Sequence, residues 1–139
     1  MSTKGKRIAA MAGQFYAGAL DPHYSGYFEL FNQQKFYEAH DVLEHLWLKD
    51  KYGANGAFYK GLIQLAGAFV HLQKHRPRPA AALFKLARTN LEKYPHRHQD
   101  LNLATALELI REWLGDLENS NFERNPLLHR PVPKLNPHV

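Results

Sequence analysis

His40 and Glu44 stand four residues apart in the stretch FYEAHDVLEHLW, from Phe36 to Trp47. On a helix that spacing sets an imidazole and a carboxylate on one face, a turn apart. Two chemistries follow. The carboxylate can accept the imidazole N–H and close a polar inclusion at the edge of a core. Alternatively both groups can turn to a divalent metal, for which two ligands are too few and a third must come from another helix. The natural donors lie further on, in AFYKGLIQLAGAFVHLQK, where Gln64 and His71 interrupt an apolar run. Burying either without a partner costs roughly 1–3 kcal/mol, so both should face something polar. His40, Glu44, Gln64 and His71 are therefore expected to meet in the interior. His40, Glu44 and His71 are the candidate metal ligands. Glu38, Trp47 and Gln64 would line the pocket or orient its ligands.

The rest of the stretch divides from this pair. Phe36, Ala39, Val42, Leu43, Leu46 and Trp47 fall on one arc at the helical period, with His40 at its edge. Glu38, Asp41 and His45 project to the polar side and read as a solvated face. Trp47 reads first as core, and would also wall any pocket beside His40. The Glu-x-x-His pattern of di-iron bundles is absent, as are the zinc-protease motif, a phosphate loop, a dinucleotide fingerprint and a nucleophile elbow.

The elements that must position these groups are all helical. A weak helix is expected over 8–16, then a turn at Asp21-Pro22. Helices follow over about 24–31 with Ser25 as cap, 33–49, 57–74, 80–94 and 101–118 with Asp100 as cap. The third of these, 57–74, is apolar almost all round and should be central. Gly61, Gln64, Gly67, Ala68 and His71 share one side of it, and the small residues there would admit a neighbouring helix. Leu83, Ala87, Leu91 and Tyr94 should face inward from the next helix, and Leu103, Leu107, Ile110, Leu114 and Leu117 from the last. The pattern predicts a small all-α antiparallel bundle of about five helices, with no strands. It divides into a lead-in (1–22), one helical domain (23–120) and a proline-rich extended tail (121–139) that is either packed or mobile.

The totals bound the function. A chain of 139 residues with 45% hydrophobic residues suits one core, and the absence of cysteine excludes disulfides and thiolate sites. No apolar run approaches the roughly 20 residues of a membrane span, and the basic N-terminus lacks the long apolar stretch of a signal peptide. A cytoplasmic protein is the expectation. The net charge of +5 is spread over scattered cations, which argues against a nucleic-acid stripe.

FNQQKFYEAHDVLEHLWL followed by GLIQLAGAFVHLQK resembles the bacterial and archaeal family known as domain of unknown function 309. Its hallmark is His-x-x-x-Glu-x-x-Trp/Tyr, which His40, Glu44 and Trp47 present here, preceded by Glu38-Ala39. The resemblance spans about 31–94 and implies a small helical protein whose motif is suggested to bind metal. It implies no reaction. Two functions are thus carried forward. One is a divalent-metal or small-ligand pocket, with a metal-dependent hydrolase as one form of it. The other is a non-enzymatic binding or assembly module, such as a homodimer, in which His40, Glu44, Gln64 and His71 form a structural polar network.

Overall fold

The computed structural model describes residues 21–137; the helix expected over 8–16 lies outside them. Five helices are present among the described residues: α1 (Pro22–Asn32), α2 (Phe36–Asp50), α3 (Gly56–Gln73), α4 (Pro77–Leu91) and α5 (Leu103–Asn119). Asp21 and Pro22 start α1 rather than forming a turn ahead of it. The Asp21 carboxylate accepts the His23 backbone N–H at 2.8 Å, and Pro22 sits at the helix start, where a missing N–H leaves no bond unmade. Ser25 therefore lies inside α1 and is not its cap. Pro77 likewise opens α4, three residues before the expected start at 80.

Consecutive helices pack in sequence, with α3 between α2 and α4, and α5 against α4. Phe69 is the hub. Its ring centroid lies 4.9 Å from Phe36, 5.6 Å from Phe31, 5.3 Å from Phe84 and 4.9 Å from Trp113, so one residue of α3 touches an aromatic ring from each of the other four helices. Phe84, rather than Leu83, is the buried aromatic of α4, and Leu83 is left half-buried at the surface. The small residues of α3 act as expected. A Cβ on Gly61 would fall 2.8 Å from Leu91, so α4 could not approach this closely over a larger side chain.

Two elements depart from the expectation. Arg97–His98 and Leu101–Asn102 form a two-stranded antiparallel hairpin, too short for alternation to register in the sequence. Its turn residues, Gln99 and Asp100, have φ of 47° and 61°, which glycine and asparagine ordinarily supply. Packing imposes the turn: Tyr24 Oη donates to the Gln99 carbonyl at 2.8 Å, and Gln99 Nε2 donates to Tyr59 Oη at 3.0 Å. Asp100 is thus a turn residue, and Asn102 caps α5 by accepting the Ala104 N–H at 3.0 Å.

The C-terminal tail is packed. Asn125 Nδ2 donates to the Leu72 carbonyl at 2.7 Å, and Arg124 pairs with Asp116 at 2.7 Å. Arg124 and Arg130 beside it hold the Asp116 carboxyl below the usual carboxylate range. Pro133 and Leu135 are buried, and Asn32 grips the Leu135 peptide from both sides, accepting its N–H at 2.8 Å and donating to its carbonyl at 2.9 Å. No helix among the described residues is long and apolar enough to cross a membrane.

Candidate functional site

A cleft of about 320 Å³ lies over the outer face of α3, walled by α2 on one side and α4 on the other. Ile63, Gly67 and Val70 make its floor, and Leu83 of α4 adds an apolar wall. Its polar groups are His40, Lys60, Gln64, His71 and Lys74, and Tyr37 stands at the rim with its ring stacked 14° from that of His40. The helix register follows from two contacts. Phe36 stacks on Phe69, and Lys60 Nζ sits 4.2 Å from the Trp47 ring centroid. α2 and α3 thus run antiparallel, which sets His40 beside the middle of α3 and Glu44 a turn nearer its start.

The structure brings His40, Gln64 and His71 to one cleft, as expected, but at the surface rather than in the interior. Glu44 is not among the residues that line it and makes no hydrogen bond to His40. Gln64 is already engaged, accepting from Asn90 Nδ2 at 2.8 Å, which ties α3 to α4. The four residues therefore do not form a closed hydrogen-bond network. Glu38, Asp41 and His45 are exposed, and His45 stacks on His23 of α1 at 5.0 Å.

Both histidines carry a buried ring nitrogen, Nδ1, without a hydrogen-bond partner among the described residues. Such an orphan is worth roughly 1–3 kcal/mol of destabilisation. The two histidines stand on two helices and line one cleft. Burial lowers the affinity of His71 for a proton, with the Arg76 and Lys74 charges adding to the effect, so its ring is neutral at pH 7.

That shift has a consequence for stability. The folded-state value lies below the ordinary 6.5, so the unfolded chain binds the proton more readily, and stability falls as pH drops through the window beneath 6.5. His98, lowered by burial, adds in the same direction. The chain should melt lower at pH 5 than at pH 7, and His71→Leu should shrink that difference. An unchanged difference in thermal melts of the variant would refute the assignment to His71.

The donor set does not fit a resident divalent metal. No carboxylate lines the cleft, two ammonium groups do, and among the described residues no group of three or more histidine, aspartate or glutamate side chains is placed to hold a metal ion. Lys60 and Lys74 were legible but unread: they extend the Gln64, Gly67, His71 row of α3 by a turn at each end. Tyr37 and Leu83 had no such signal, because their place depends on how the neighbouring helices lie. A second polar cluster surrounds the hairpin turn. Burial raises the Tyr24 and Tyr59 hydroxyls and keeps both protonated; Tyr24 donates to the Gln99 carbonyl and Tyr59 accepts from the Gln99 side-chain amide.

Fold and cleft together define a small all-α bundle with a nitrogen-rich groove over its central helix. Over residues 24–83 the chain is similar to the family described as Domain of unknown function (DUF309); the matched stretch takes in α1 to α3 and the start of α4, and contains His40, Glu44 and Trp47. It starts earlier and ends earlier than the expected 31–94. The chain is also 30% identical over 90 residues to an uncharacterized protein of Aquifex aeolicus (strain VF5), an alignment covering 65% of this chain. It spans 27% of that relative's length. No solved structure matches the chain.

Proposed function

We propose that the cleft over α3 is a binding site for a small molecule, with His40 and His71 as the groups that hold it. The observation that carries this reading is that His40 and His71, each with a buried Nδ1 lacking a partner, line one cleft from two helices. At about 320 Å³ the cleft lies within the roughly 300–1,000 Å³ range of small-molecule pockets. Its apolar floor supplies contact area, and its few nitrogen groups supply orientation. Gln64, fixed by Asn90, keeps the α4 wall in place. Trp47 acts at a distance by holding Lys60 against its ring.

The competing reading is an assembly module acting through its surface. It draws support from exposed apolar side chains, but the largest of these are spread over the two ends of α2 (Tyr37, Leu48), the loop after it (Tyr52), α4 (Leu86) and the tail (Leu128), and suggest no single interface. The test is a fragment screen on the full chain, following the imidazole signals of His40 and His71 by NMR, with sedimentation in parallel. Saturable shifts at both rings, absent from His40→Leu, are expected. A tight dimer whose formation alone moves those signals, with no fragment doing so, would replace this reading with the assembly one.

A further inference from the structure

We infer that the ligand is an oxyanion, a carboxylate or phosphate ester, carried on a short apolar body. The inference rests on the cleft being a ligand site, and it names the class of molecule that the lining would select.

The charges are one-sided. His40, His71 and Lys74 gather at the end of the cleft where α3 terminates, Lys60 stands at the other end, and no carboxylate lines the space between. Neither lysine forms an ion pair among the described residues. Lys60 is held over the Trp47 ring at 4.2 Å, a contact that leaves its charge uncompensated by any acid. Arg76, just beyond the helix, adds to the positive field felt by His71.

The end of a helix normally offers carbonyl oxygens that repel an anion. Here those of Val70, His71 and Leu72 are occupied. The Val70 and His71 carbonyls accept from the Lys74 backbone N–H at 3.2 and 3.1 Å, the His71 carbonyl also accepts from Arg76 N–H at 2.8 Å, and Leu72 accepts from the His75 N–H and the Asn125 amide. What faces the cleft at this end is therefore the imidazoles and the ammonium group of Lys74. Each imidazole can present an N–H donor to the cleft from its other ring nitrogen by choice of tautomer. An oxyanion would satisfy both donors and the Lys74 charge at once. The floor formed by Ile63, Gly67 and Val70, with Leu83 at its side, runs away from this end and gives an apolar body somewhere to lie. A cation placed there would meet the lysine charges and no acid.

The probes are phenyl phosphate, benzoate, benzyl alcohol, benzylamine and zinc ion, each titrated into the full chain while the His40 and His71 ring signals are followed. Phenyl phosphate or benzoate should bind saturably and more tightly than benzyl alcohol. The comparison of the two anions separates phosphate from carboxylate recognition. Binding should weaken as salt rises from about 50 to 300 mM, through screening of the exposed charges. Lys74→Gln should weaken it about two- to fivefold, the worth of one partly exposed charge pair. Benzylamine or zinc binding more tightly than either anion would overturn the oxyanion assignment and leave the cleft as a ligand site. Failure of every probe to move either ring would overturn both.

Discussion

The double variant His40→Leu/His71→Leu is expected to melt several degrees higher than the natural chain and to lose all binding at the cleft. Each leucine removes a buried nitrogen that has no partner and replaces it with an apolar side chain of fitting size, over a floor already made of Ile63, Gly67 and Val70. The gain should be about 1–3 kcal/mol per site before the half-exposure of the rings is discounted, which a domain of this size reads as several degrees in its midpoint. Binding residues commonly sit where the fold would prefer something else. Thermal and urea unfolding check the stability, and the ring-free variant checks the binding by protein amide signals. A loss of 1 kcal/mol or more would mean that the imidazoles support the fold, and the ligand reading would lose its basis.

Phe69→Ala should have the opposite and larger effect, a loss of about 3–5 kcal/mol. Phe69 is fully buried and touches Phe31, Phe36, Phe84 and Trp113, one ring from each neighbouring helix. No single helix can move in to fill the space without leaving the others, so the cavity should persist. Against a total stability of roughly 5–15 kcal/mol for a domain, such a loss approaches unfolding. Leu128→Ala, at a position 66% exposed, is the control and should change stability by less than about 0.5 kcal/mol. Urea midpoints for the two variants decide the matter; a Phe69→Ala loss under 1 kcal/mol would show that the aromatic hub is not where the core is tied together.

Helical periodicity located all five helices of the described chain because each buries a continuous stripe, and α3 was recognisable as central from its nearly unbroken apolarity. The errors fell at boundaries. Asp21-Pro22 and His75 to Pro79 look like breaks, yet proline at the first helical position is a start signal as much as a stop. The hairpin at 97–102 was invisible because two residues per strand carry no period, and because Gln99 and Asp100 adopt their turn under the grip of Tyr24 and Tyr59, which are distant in sequence.

The site was legible to the extent that it lies on single helices. The Gln64–His71 row of α3 and the position of His40 at the edge of the α2 arc both follow from spacing. The fate of Glu44 did not. Four-residue spacing says that two side chains can meet; it does not say what lies beneath each of them. What lies beneath each is set by how the neighbouring helix sits, which the sequence of one helix cannot hold. The positive character of the cleft was missed for a related reason, since Lys60 and Lys74 look like ordinary surface charges until α2 and α4 are set beside them.

Asn32 and Leu135 are joined by two hydrogen bonds across 103 residues of chain. The end of α1 cannot acquire this partner until every helix between has taken its place, and the loop it closes is nearly as long as the described fold. The contact is thus a late event in folding, one whose entropic barrier is met by prior assembly of the bundle rather than by the two bonds themselves. During synthesis, the junction of α1 and α2 stays uncovered until the residues around Leu135 have left the ribosome. The helices that make the cleft can assemble before then, and the segment after α5 closes over a bundle already formed.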